Sequence, residues 1–249
     1  MILEICTDTL ASSITAEKAG ADRIELCADL CVGGTTPSAG LIKNVMEKLT
    51  IPVAVMIRPR SGDFCYNAEE LETMKYDIDF AKSCGAEGVV LGVLTPEGEI
   101  DEEVMAMLIE RARPMAVVCH RAFDMTKEPK RSLEILIKLG VNRLLTSGFA
   151  NKSIEGVDTL KTLSELAAGR IDIIAGSGVN IDNIPTLMSN TSILQYHLSG
   201  KRPLDSKMIF RKDNISMGSA SGDNEYQLEE AHFETITAVA DLLKKPKNQ

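Results

Sequence analysis

Apolar residues in this chain fall into short runs separated by longer amphipathic stretches, and a glycine repeatedly marks the change from one to the other. Ala19-Gly20-Ala21 leads into Arg23-Ile24-Glu25-Leu26, and Cys84-Gly85-Ala86 into Val89-Val90-Leu91. Leu139-Gly140-Val141 leads into Arg143-Leu144-Leu145, and Ala168-Gly169-Arg170 into Ile171-Asp172-Ile173-Ile174. Glycine just past a helix supplies the left-handed residue that caps it. Strands are predicted near residues 2–6, 22–27, 52–58, 87–92, 115–120, 142–146, 171–175 and 193–197. Strands alternating with helices at even spacing predict a parallel sheet, and eight such units without a linker predict one (β/α)8 TIM barrel spanning residues 1–249. An open dinucleotide-binding sheet requires G-x-G-x-x-G after its first strand. Here that turn reads Cys6-Thr7-Asp8-Thr9, and Gly176-Ser177-Gly178 lacks the third glycine.

The last strand is followed by a long loop, Leu198 to Glu225, carrying Lys201, Arg202, Lys207, Arg211, Lys212 and a Gly/Ser-rich stretch from Gly218 to Gly222. It reads either as a lid over the barrel mouth or as a surface excursion. A C-terminal helix is predicted with Leu228, Ala231, Thr235, Val239 and Leu242 as its apolar positions, and residues 244–249 as a frayed tail.

The 249 residues include 36 acidic and 27 basic side chains, a net charge of −9, with 4 Tyr, 6 Phe and no Trp. Nucleic-acid binders need a positive field and stacking platforms, so that class is disfavoured. No apolar run approaches a membrane span; the richest is Ile51 to Ile57. The start, Met1-Ile2-Leu3-Glu4-Ile5, has no basic region of a secretory signal, so a cytoplasmic protein without membrane partners is expected. The six cysteines then read as free thiols, available to a soft metal.

In such barrels chemistry gathers at the carboxyl ends of the strands. Alternation turns Ile2, Glu4 and Cys6 of the first strand inward, and Arg23, Glu25 and Cys27 of the second, with Arg58, His120, Thr146 and His197 at later strand ends. Buried carboxylates need cations, so Glu4 and Glu25 are expected to meet Arg23 and Arg58, in either a structural ion-pair network or a site. Arg58-Pro59-Arg60 offers two guanidinium forks for an anion. His120-Arg121-Ala122-Phe123-Asp124 combines an acid/base, a cation and a carboxylate that could orient either. Thr146-Ser147-Gly148 and Gly176-Ser177-Gly178 offer N–H groups and hydroxyls to an anion. Cys6 and Cys27, on strands about 4.8 Å apart, read either as a Cu(I) pair or as two small buried apolar side chains.

Five blocks carry a resemblance: Ile24-Glu25-Leu26-Cys27, Gly33-Gly34-Thr35-Thr36-Pro37-Ser38, Ile57-Arg58-Pro59-Arg60-Ser61-Gly62-Asp63-Phe64, His120-Arg121-Ala122-Phe123-Asp124 and Leu145-Thr146-Ser147-Gly148. Together they resemble the copper homeostasis protein CutC family over essentially the whole chain. Ser61 stands where many members have Gly, and Cys119 where an aromatic is common. The resemblance implies a cytosolic TIM barrel, a homo-oligomer, with Cu(I) on Cys6 and Cys27; no organic cofactor is expected. It leaves Glu4, Glu25, Arg58, Arg60, His120, Asp124 and His197 without a task. An enzyme reading therefore stays open, in which Glu4, Glu25, His120 and Asp124 supply acid-base groups. Arg58, Arg60, Arg121, Thr146, Ser147, Gly176, Gly178 and His197 then hold a small phosphorylated or carboxylated metabolite.

Overall fold

The computed structural model describes residues 1–212, 215 and 225–244. Eight parallel strands close into a barrel: β1 (Ile2–Thr7), β2 (Arg23–Leu26), β3 (Val53–Met56), β4 (Gly88–Leu91), β5 (Ala116–Cys119), β6 (Arg143–Thr146), β7 (Asp172–Ala175) and β8 (Gln195–Leu198). Helices α1 (Leu10–Lys18), α2 (Ala39–Lys48), α3 (Ala68–Ser83), α4 (Glu102–Ala112), α5 (Pro129–Leu139), α6 (Val157–Ala167) and α7 (Ile184–Asn190) connect them. β8 closes onto β1 in the register Ile2↔Gln195 and Glu4↔His197. Each predicted strand coincides with an observed one, and the TIM barrel expected from the pattern is the fold.

Local chemistry sets the helix ends. Asn67 accepts from Glu70 N while the Glu70 carboxylate accepts from Asn67 N, a reciprocal cap at the start of α3. Asp101 accepts from Val104 N at the start of α4. Gly140 (φ 79°) ends α5 in the left-handed conformation and releases the chain into β6.

Strand alternation divides the core in two. Leu3, Ile5, Ile24, Leu26, Val55 and Val89 lie in the layer under the helices, whereas Cys27, Ala54, Met56, Val90, Val118, Leu145 and Ile174 form a separate cluster inside the barrel. That inner cluster fills the barrel axis beneath the strands' carboxyl ends.

The structure differs from the sequence reading after β8. Residues expected to begin a long loop form β9 (Lys201–Asp205), paired antiparallel with β10 (Gln227–Ala231). Leu228 lies opposite Leu204, and the ion pairs Lys201–Glu229 and Arg202–Glu230 lie across the same ladder. Leu228 and Ala231 are thus strand residues, and the last helix, α8 (Phe233–Lys244), buries the expected Val239 together with Ile236, Ala240 and Leu243, in place of Thr235 and Leu242. These four recur at helical spacing counted from Phe233, which leaves Thr235 exposed. The Gly218 to Gly222 stretch and residues 245–249 lie outside the described residues, and Lys244 closes α8. Among the described residues no helix is long and apolar enough to cross a membrane.

Candidate functional site

The register of β1, β2 and β8 places Glu4 beside both Arg23 and His197, and Cys6 beside Glu25. Arg23 Nε donates to Glu4 Oε2 at 2.5 Å, and its Nη2 donates to Gln195 Oε1 at 2.7 Å. Gln195 in turn donates to Asp172 Oδ2. The other Glu4 oxygen lies 2.8 Å from His197 Nδ1. Burial alone would raise the Glu4 carboxyl, but the hydrogen bond and charge of His197, together with Arg23, pull it down to about 2. His197 is pushed the other way. Burial opposes its charge, yet Cys6, Glu25 and Glu4 outweigh burial and raise it well above the ordinary histidine value.

His197 Nε2 faces Glu25 Oε2 at 3.8 Å, and Cys27 Sγ donates to that same oxygen at 3.4 Å. Burial, then the charge of Glu4, raises the Glu25 carboxyl. Burial, then Glu25, pushes the Cys27 thiol well up. Donor atoms of Cys6, Glu25 and His197 all lie within 4.8 Å of one another. Cys6 is half-buried, whereas Cys27 is fully buried.

Across the barrel, at the end of β5, His120 Nδ1 accepts from Ala122 N at 3.2 Å and its ring lies against Phe64, centroids 4.9 Å apart. Burial, then the neighbouring Arg58 charge, lowers His120 to about 3. The neutral ring with Nδ1 as acceptor therefore carries its proton on Nε2. Arg58 does not meet a carboxylate, contrary to the sequence expectation. Its Nη1 donates to Val32 O and Gly34 O, and its Nη2 to Gly62 O, each at 2.9 Å. The loops after β2 and β3 fold over the guanidinium and present carbonyls before any acid can reach it.

Asp124 is enclosed by Thr146 Oγ1, Ser147 N, Ser147 Oγ, Phe149 N and Arg121 Nε. The turn after β6 therefore spends its donors on this internal carboxylate, which orients Arg121 rather than His120. Arg60 likewise turns away, to Glu70 and Asp63.

A cavity of about 610 Å³ opens at the strand ends. Cys6, Glu25, Arg58, His120, Arg121, Asp124, Gly178 and His197 line it, and Leu30, Met56, Leu145 and Val179 supply apolar wall. Glu4, Cys27, Arg60, Thr146, Ser147 and Gly176 stand outside the lining. Phe64 and Asn180 line the cavity without a role in the sequence analysis, whereas Ser199, Gly200 and Lys201 come from the segment read there as a lid or a surface excursion. Ser199 to Lys201 directly follow a strand's carboxyl end, which places the start of that segment at the barrel mouth. Three buried atoms of lining residues have no partner among the described residues: His120 Nε2, Glu25 Oε1 and Arg58 Nε.

The His120 ring packs directly on the backbone at Gly92: a Cβ at that position would lie 2.8 Å from both Cε1 and Nδ1 of the imidazole. Gly92→Ala is expected to push the imidazole off Ala122 N and to destabilise the protein by about 1–3 kcal/mol. Urea unfolding gives the magnitude, and a moved His120 imidazole resonance reports the displacement. An unmoved resonance would show that the backbone after β4 yields instead.

The CutC family model matches residues 1–202. The family protein CutC of Porphyromonas gingivalis is 45% identical over 244 residues, covering 98% of each chain. The human copper homeostasis protein cutC homolog is 43% identical over 242 residues, covering 96% of this chain and 89% of its own length. The solved CutC of Streptococcus agalactiae superposes with a TM-score of 0.76 at 38% identity, over 80% of this chain and 98% of that one. Kinship at this level over nearly the full length, on a closed barrel of the same architecture, leaves one assignment: this chain belongs to the CutC family.

Proposed function

We propose that this chain serves copper homeostasis by taking one Cu(I) at the β1–β8 side of the cavity, through the thiolates of Cys6 and Cys27 with His197 as a third donor. The observation that carries this reading is the convergence of Cys6, His197 and Glu25 donor atoms within 4.8 Å at the cavity wall. Thiolate and imidazole are the donors a soft monovalent ion favours. Glu4 on His197 Nδ1 leaves Nε2 toward the thiol, the second-sphere arrangement in which a carboxylate fixes the ring of a metal-bound histidine. The buried Cys27 already directs its proton at Glu25, so ligation by this thiol releases that proton. The copper homeostasis name of the human relative supports the same role.

Anaerobic titration of reduced protein against a chromophoric Cu(I) chelator tests this. Uptake of one ion per chain is expected, weakened at least about 100-fold by Cys6→Ser and about 10- to 100-fold by Cys27→Ser or His197→Gln. Cys65→Ser, outside the cavity lining, serves as the control. Undiminished uptake by Cys6→Ser would end the proposal.

A further inference from the structure

A single ion occupies little of a 610 Å³ cavity, a size in the range of small-molecule pockets. Beside the copper ligands proposed above, the turn after β7 presents backbone N–H groups that no described residue uses. Those of Ser177, Gly178 and Val179 find no acceptor among the described residues, although the three residues line the cavity. Two successive left-handed residues, Ser177 (φ 73°) and Gly178 (φ 68°), curl this turn into a concavity. Ser177 is not a glycine, so its conformation is held by contacts: its Oγ donates to Asn151 O and its carbonyl accepts from Ser153 N and Oγ. Lys152 lays its stem along Gly178, and Ser199, Gly200 and Lys201 at the end of β8 complete the rim. Anions in barrels of this class are commonly held by the loops after the seventh and eighth strands.

The second observation lies deeper in the same cavity. His120 and Glu25 are 4% and 3% exposed, and each leaves one polar atom, Nε2 and Oε1, without a partner among the described residues. Native proteins rarely leave such atoms empty-handed unless a ligand or water meets them. We propose that the turn after β7 and the end of β8 bind the phosphate group of a small phosphorylated metabolite whose hydroxyl or carbonyl oxygens reach His120 and Glu25. The turn supplies several N–H donors to the phosphate oxygens, and the neutral imidazole supplies one more to an oxygen of the organic part. The apolar wall of Met56, Leu145 and Val179 fits a short carbon chain between them. This site goes beyond the copper reading and shares the cavity with it.

Isothermal titration of the metal-free protein with inorganic phosphate, glycerol 1-phosphate, ribose 5-phosphate and glycerol tests it. Phosphate is expected to bind saturably, at least one of the two esters about tenfold tighter through one well-placed buried hydrogen bond, and glycerol to give no signal. Gly178→Asp should weaken phosphate and esters alike by at least about tenfold, since it sets a like charge in the turn. Gly178→Asn adds the same Cβ against the same Lys152 stem without the charge, so its loss measures the steric share, and Gly178→Asp should lose at least about tenfold more than Gly178→Asn. His120→Phe should erase the advantage of the ester over phosphate while leaving phosphate itself unchanged. Esters no tighter than phosphate, or binding by Gly178→Asp equal to that by Gly178→Asn, would overturn the proposal. Cu(I) uptake by Gly178→Asp is expected to equal wild type, so failure of one reading leaves the other legible.

Discussion

Arg23→Met is expected to cost about 3–5 kcal/mol of stability, the range seen when one member of a buried ion pair is removed and the other left behind. Arg23 and Glu4 are 7% and 1% exposed, so water cannot replace the lost partner. The Glu4 carboxylate would keep His197 alone, and Gln195 would lose the donor that ties β8 to β2. The double variant Arg23→Met with Glu4→Gln removes both charges and should regain a large part of the loss, because the cost lies in stranding a charge rather than in lacking the pair. Urea unfolding of the three proteins decides it. A double variant no more stable than the single would mean that Arg23 acts through packing of its stem instead. The same double variant separates scaffold from chemistry: the amide introduced by Glu4→Gln can still hold His197 Nδ1, so Cu(I) uptake should survive where stability has been restored.

This pair was legible in the sequence because strand alternation and adjacency fix it. Once Glu4 and Arg23 both point inward on neighbouring parallel strands, no loop conformation is needed to bring them together. The same logic reached Cys6, Glu25, His197 and His120, all of which lie on strands or one residue beyond them. It failed where loops decide. Arg58 was legible as an inward cation, but its carbonyl partners at Val32, Gly34 and Gly62 depend on two loops whose paths no periodicity encodes. Asp124 was legible as a carboxylate near His120, yet the donors that enclose it come from the next βα turn and draw it to Arg121. Leu228 and Ala231 stand three apart, the helical spacing, and pairing of Leu228 with Leu204 overrides that local pattern in favour of sheet.

Acid should destabilise this protein through His120, and His120→Gln should blunt the effect. The ring is held at about 3 against an ordinary 6.5, first by burial and then by Arg58. Above pH 6.5 neither the folded nor the unfolded chain carries the proton, so the residue contributes nothing to the pH dependence there. As pH falls below 6.5 the unfolded chain takes up a proton that the folded one refuses, and stability drains away until the folded ring itself titrates near pH 3. At about 1.36 kcal/mol per unit this amounts to roughly 2 kcal/mol by pH 5 and on the order of 5 kcal/mol by pH 3. Glu4, pulled down to about 2, adds a further loss only below its ordinary 4.5, and the raised Glu25 works in the opposite sense as it protonates early in the fold. The amide that His120→Gln introduces can accept from Ala122 N without titrating, so subtracting the variant's pH profile from that of the wild type isolates the histidine. Urea unfolding at about pH 7 and pH 5 should show the wild type losing roughly 2 kcal/mol more than the variant. Parallel losses would mean that the imidazole protonates in the fold as freely as in water, and a ring that does so cannot be the fixed neutral donor that its packing between Phe64, Gly92 and Ala122 makes it.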